Sequence, residues 1–150
     1  MEPKSKLAKL LDDLERRVIF TIKQVHEIVV LPYEGKTPVR DEGTLEYIVQ
    51  MFLKTALLDA ANHKEHTSVD DATYLLYEIA TKHPFMDGNK RTATIMALAF
   101  IYKESNDSIM PKFRNYQENK RYQNFIKRVA QKKHTKQYVK KFLTKEFTQS

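Results

Sequence analysis

Between residues 81 and 93 the chain reads TKHPFMDGNKRTA. That stretch holds an imidazole, His83, a carboxylate, Asp87, the pair Gly88-Asn89, and two adjacent cations, Lys90 and Arg91. The apolar run after it, RTATIMALAFIY, reads as a buried helix, so these residues stand where a loop turns into a helix N-terminus. Glycine and asparagine accept backbone angles that other residues avoid, which lets successive N–H groups face outwards. A helix start adds N–H donors with no intrahelical acceptor and a partial positive charge. Lys90 and Arg91 in the first turn oppose that dipole, and a bound anion, phosphate above all, explains their presence. Asp87 supplies one hard oxygen donor, which suits Mg²⁺ shared among protein, water and a ligand's phosphates. An imidazole can take a proton from an attacking hydroxyl, which makes His83 the candidate general base. Base, metal ligand and anion cradle together point to transfer of a phosphate-containing group. Pro84 stiffens the loop, and Phe85 and Met86 are expected to anchor it to the core.

The elements that must hold this stretch are helical. Three glycines in 150 residues, and apolar residues at helical spacing nearly throughout, predict an all-α domain. Leu7, Leu10, Leu11 and Leu14 form one stripe; Thr21 is placed to cap a second helix carrying Ile22, Val25, Ile28 and Val29. LPYEGKTPVRDEG, residues 31–43, collects two prolines and two glycines and reads as a loop fit to act as a flap. A third helix follows through Leu45, Ile48, Val49, Phe52, Ala56 and Leu57, then the polar connector DAANHKEHTS, in which His63 and His66 are expected to be solvated. Ser68 is placed to cap a fourth helix with Asp70 and Asp71 in its first turn, and the run from Arg91 becomes the fifth, central helix. Beyond Pro111, Tyr122, Phe125, Ile126 and Val129 mark a further helix, and Val139, Phe142 and Leu143 the last. His26, within an apolar pattern, reads as a satisfied core or boundary histidine.

Composition limits the function classes. With no cysteine there is no thiolate chemistry and no disulfide, which fits a reducing compartment. No stretch has the length and apolarity of a membrane span or signal peptide, so the chain is expected to be soluble and cytoplasmic. Residues 103–150 carry 13 Lys and Arg against 4 Asp and Glu, a local +9 that leaves −2 elsewhere of the total +7. Such a tail can signal nucleic acid, but its interleaved Tyr116, Tyr122 and Tyr138 pack equally well as amphipathic helices, and that reading is preferred.

The string His83, Phe85, Asp87, Gly88, Asn89, Lys90, Arg91 resembles the motif of the Fic/Doc family, in the form found in death-on-curing (Doc) toxins of toxin–antitoxin modules. VRDEGTLEYIV, residues 39–49, resembles the segment such chains carry upstream, and YQNFIKRVAQKKHTKQYVKKFL their closing helix pair. The resemblance implies a single all-α Fic/Doc domain over residues 21–147, with residues 1–20 as an N-terminal helical extension. It implies that His83 is the base, Phe85 the lock of the loop, Asp87 the Mg²⁺ ligand, and Gly88, Asn89, Lys90 and Arg91 the nucleotide-phosphate site. Arg40, Asp41 and Glu42 are candidates for a flap or for binding the protein substrate, and a salt-bridged turn explains them equally well.

Where this family has lysine at the position of Lys90, the resemblance implies phosphorylation of a protein hydroxyl from ATP, with a translation factor such as elongation factor Tu as the kind of target. A glycine there implies AMP transfer instead. Thr94 also stands where the AMP-transferring pattern has an arginine, and both departures favour the kinase reading. The Ser/Thr-x-x-x-Glu-Gly/Asn inhibitory motif finds no match: four residues before Glu42-Gly43 stands Pro38. Control in trans by an antitoxin is therefore expected. AMP transfer is the nearest alternative, and a non-catalytic module binding a partner or nucleic acid the more distant one.

Overall fold

A computed structural model describes residues 5–30, 39–102 and 106–147. The described residues form seven helices and no strand: α1 (Lys6–Val30), α2 (Glu42–Ala61), α3 (Ser68–Lys82), α4 (Asn89–Ile101), α5 (Asn106–Glu118), α6 (Lys120–Ala130) and α7 (Lys136–Phe147). The all-α reading holds. The flap reading of residues 31–43 falls largely on residues 31–38, outside the described residues.

α4 is the axis of the fold. Every residue from Thr92 to Leu98 is buried, and the helix packs against α1, α3, α5 and α6. A helix apolar nearly all round has no face to offer water and can only be stable inside others. Thus the residues just before α4 are held by the most deeply packed element of the chain.

Three sequence expectations need correction. α1 runs without a break through Thr21, whose hydroxyl donates to the Arg17 carbonyl at 2.9 Å instead of capping a new helix. This backward bond within a helix competes with capping, and nothing before Thr21 breaks the helical pattern. The central helix is accordingly the fourth, not the fifth. α3 is capped by Thr67, one residue earlier than expected, in a box where Thr67 and Asp70 satisfy each other's backbone N–H. α5 was hidden by Pro111, which lies inside it; one missing backbone bond is offset where Ile109 and Phe113 are buried.

Two ion pairs fasten the basic C-terminal helix α7 to the acidic α3. Lys136 Nζ lies 2.6 Å from the buried Glu78 carboxylate, which also pairs with Lys82, and Lys140 Nζ lies 2.8 Å from Asp70. Burial alone would raise the Glu78 pKa, but the two lysines hold it below the ordinary carboxylate value. Part of the tail's positive charge therefore serves packing. Tyr122 is buried among Tyr116, Phe125, Phe142 and Phe147, which removes it from any role in stacking nucleic acid. No described helix is long and apolar enough to cross a membrane.

Candidate active site

The loop from His83 to Gly88 joins α3 to α4, and its shape follows from four local devices. The first is the stop of α3. His83 adopts a left-handed conformation, φ 52° and ψ 61°, as the C-cap, and its N–H bonds the Ile79 carbonyl. The following Pro84 disfavours a helical residue at 83, and the left-handed turn costs a non-glycine residue about 1–2 kcal/mol. The imidazole Nδ1 lies 3.0 Å from the Thr81 carbonyl. A carbonyl only accepts, so Nδ1 carries a proton, and in the neutral ring Nε2 is the nitrogen with the lone pair.

The second device is Arg40. Its Nε and terminal nitrogen donate to the carbonyls of His83 (2.7 Å) and Lys82 (2.9 Å), satisfying groups orphaned at the end of α3. The backbone N–H of Arg40 donates to Pro84 O at 2.7 Å, and Val39 forms an antiparallel bridge with Phe85. The structure thus gives each of the flap candidates a structural partner: Arg40 clamps the loop, Asp41 caps α2 through Thr44 N–H, and Glu42 pairs with Lys23 at 3.0 Å. They remain beside the site, for Arg40 and Asp41 line a depression that reaches His83.

Asn89 is the third. Its side-chain oxygen accepts from Phe85 N–H at 3.0 Å and its amide donates to Phe85 O at 2.8 Å, all within the buried interior. The Asn89 side chain is therefore spent on closing the loop, leaving its backbone at the helix start to face a ligand. The fourth device is Gly88, at φ 80° and ψ 12°. A Cβ there would lie 2.8 Å from Val30 Cγ1, so both the backbone angle and the close approach of α1 require glycine.

Phe85, the residue expected to lock the loop, is 1% exposed; Met86 is 60% exposed and does not anchor the loop. No side chain caps α4. The Gly88 N–H donates to the Asp87 carboxylate at 2.7 Å, and Asp87 Oδ2 lies 3.6 Å from Arg91, so in this state the loop's own carboxylate answers its positive end. Arg91 also donates to the Val29 carbonyl at the end of α1, which aims the guanidinium.

A cleft of about 640 Å³ opens over this start of α4, a size suited to a nucleotide-sized ligand. It is lined by His83, by Met86 through Arg91 and Thr94, by Gln117 of α5, and by Tyr122, Gln123, Ile126 and Lys127 of α6. Lys90, Arg91 and Lys127 against one carboxylate give it a net positive lining. Sequence reading missed the α6 wall, because Tyr122 and Ile126 register only as an amphipathic core face and Lys127 only as tail charge. Thr94 is fully buried; its hydroxyl donates to Lys90 O at 2.8 Å and meets the Tyr122 hydroxyl at 2.5 Å. A short hydroxyl thus occupies the place from which a longer side chain would reach the cleft.

Mg²⁺ commonly takes one or two protein carboxylates and completes its shell with water and substrate phosphates. Asp87, whose side chain is 65% exposed in the cleft beside the helix start, fits that description. Among the described residues no three His, Cys, Asp or Glu side chains converge as a dedicated cage.

His63 and His66, expected to be solvated, differ from each other. His63 takes a left-handed backbone, while His66 is held between Asp71 (2.6 Å) and Asp59 (2.8 Å), joining the end of α2 to the start of α3.

A sequence model of the Fic/DOC family matches residues 19–101, from the middle of α1 to the end of α4. No match was found among curated proteins. The matched region covers more than half of the chain and contains the whole loop from His83 to Arg91. The chain therefore belongs to the Fic/DOC family, whose enzymes modify proteins with a nucleotide.

Proposed function

We propose that this protein transfers the γ-phosphate of ATP to a hydroxyl side chain of another protein. The observation that carries the reading is the placement of His83: Nδ1 is held by Thr81 O, leaving Nε2 as acceptor, in the same positive cleft as the uncapped start of α4. The target hydroxyl gives its proton to His83 Nε2 as its oxygen bonds to the γ-phosphorus. The bond from that phosphorus to the β,γ-bridging oxygen breaks, and ADP leaves. The amides of the first α4 turn, with Lys90, Arg91 and Lys127, take the phosphate charge. Asp87 would hold Mg²⁺, which supplies charge neutralisation for the phosphates when bound.

Lys90 and Thr94 favour this orientation of ATP over the one that transfers AMP. At the first position a lysine side chain replaces the open backbone approach that a glycine allows. At the second, a buried hydroxyl stands in place of an arginine. A trans-acting antitoxin and a translation factor as target belong to the same proposal, supported by the Doc-like form of the motif.

Calorimetry with ATP tests the site. Binding is expected to need Mg²⁺, to weaken at least tenfold in Asp87→Ala and Lys90→Ala, and to persist in His83→Ala, whose role is in the chemical step. Absence of ATP binding at millimolar concentration, alongside steeply salt-dependent binding of DNA or RNA, would transfer the assignment to the basic helices.

A further inference from the structure

His26 reaches the loop from the second half of α1, across 61 residues of sequence to Asp87. It is 3% exposed, and its ring lies face to face on Phe85, with centroids 3.8 Å apart and planes 6° from parallel. Its Nε2 is 2.8 Å from the backbone oxygen of Asp87. Because that oxygen only accepts, Nε2 bears a proton. The same ring borders Gly88, where an added Cβ would come within 3.4 Å of His26 Cδ2. One imidazole therefore touches three of the four residues from Phe85 to Gly88.

The Asp87 carbonyl and the Gly88 N–H belong to one planar trans peptide and point in opposite directions. Holding the carbonyl inward on His26 turns the Gly88 N–H outward, where it now donates to the Asp87 carboxylate at 2.7 Å. We infer that His26 is a positioning residue for the anion site: it fixes the Asp87–Gly88 peptide plane so that the Gly88 N–H faces the cleft. This rests on the proposal that the cleft takes a nucleotide's phosphates.

Histidine is suited to both tasks at once. Phenylalanine would stack on Phe85 but could not donate, and glutamine could donate but would not stack.

Two variants and one measurement on the unmodified protein test this. In His26→Phe, exchange of the Gly88 amide followed by NMR is expected to quicken about 3- to 10-fold, the range of one net hydrogen bond. Affinity for ATP with Mg²⁺ should fall by a similar factor while the melting temperature stays within a few degrees. His26→Gln should recover part of both losses. In the unmodified protein the His26 Nε2–H should give a slowly exchanging imidazole resonance, a readout that holds even if His26→Phe fails to fold. An Nε2 without a proton, or Gly88 exchange unchanged in a folded His26→Phe, overturns the inference. Absence of ATP binding in the unmodified protein would remove the proposed function, and the Gly88 exchange rates would still decide the role of His26.

Discussion

Replacing Asn89 with alanine removes both hydrogen bonds that close the loop, to Phe85 N–H at 3.0 Å and to Phe85 O at 2.8 Å. Asn89 is 6% exposed and Phe85 1%, so water cannot readily take over either bond. Each buried backbone group left without a partner costs about 1–3 kcal/mol, and relaxation of the loop recovers part of this. We expect a net loss of about 2–4 kcal/mol by urea denaturation, or roughly 4–16 °C in melting temperature for a chain of this size. Asn89→Asp keeps an acceptor for Phe85 N–H but sets a charged oxygen against the Phe85 carbonyl, so it should rescue only part of the loss. Because the same loop sets Asp87 and Gly88, transfer activity should drop about 100-fold at temperatures where Asn89→Ala is still folded, the order expected for a misplacement near 1 Å. A loss under about 0.5 kcal/mol, with activity retained, would refute the claim that this side chain shapes the site and would free it for direct contact with a ligand.

His83→Gly relieves the left-handed backbone at φ 52°, so stability should hold or rise by up to about 1 kcal/mol while activity falls 100-fold or more; a clear loss of stability would mean that the imidazole serves packing first. Arg40→Ala uncovers the carbonyls of Lys82 and His83 and should cost about 1–2 kcal/mol by denaturation, with Arg40→Lys recovering little because one ammonium cannot replace the two-pronged bond. The His66 pKa is raised by its hydrogen bonds to Asp71 and Asp59. Its folded value thus lies above the ordinary 6.5, and the stabilisation is complete below about pH 6.5 and lost as pH rises through the folded value. The gap in melting temperature between the unmodified protein and His66→Gln should be widest at mildly acidic pH and shrink as pH rises through the folded value; a gap that widened with pH would reverse the assignment.

The helical class was legible, and a candidate site could be named, because both signals are local. Apolar spacing marks a helix within its own residues, and the stretch from His83 to Arg91 gathers the candidate base, candidate metal ligand and candidate anion cradle in one run. What escaped was carried by distant partners. His26 reads as an ordinary core histidine until α1 is packed on the loop, and Arg40 reads as a flap charge until its guanidinium meets the end of α3, 43 residues later. The wall of the cleft from α6 was legible only as a core face, since periodicity does not say which edge of that face borders an opening. Local chemistry also misled: a threonine that resembled a cap bonds backward within α1, and a proline that resembled a boundary sits inside α5. Asn89 shows a subtler limit. Its residue type marked the loop's turn, yet only the three-dimensional contacts show that its side chain closes the loop on Phe85.

The central claim is the transfer of the γ-phosphate. Incubating the protein with cell lysate and ATP labelled on either the α- or the γ-phosphate, beside a His83→Ala control, tests it most directly. A labelled protein band is expected from γ-labelled ATP alone, absent with His83→Ala; label arriving from α-labelled ATP would overturn γ-phosphate transfer and assign AMP transfer to this cleft.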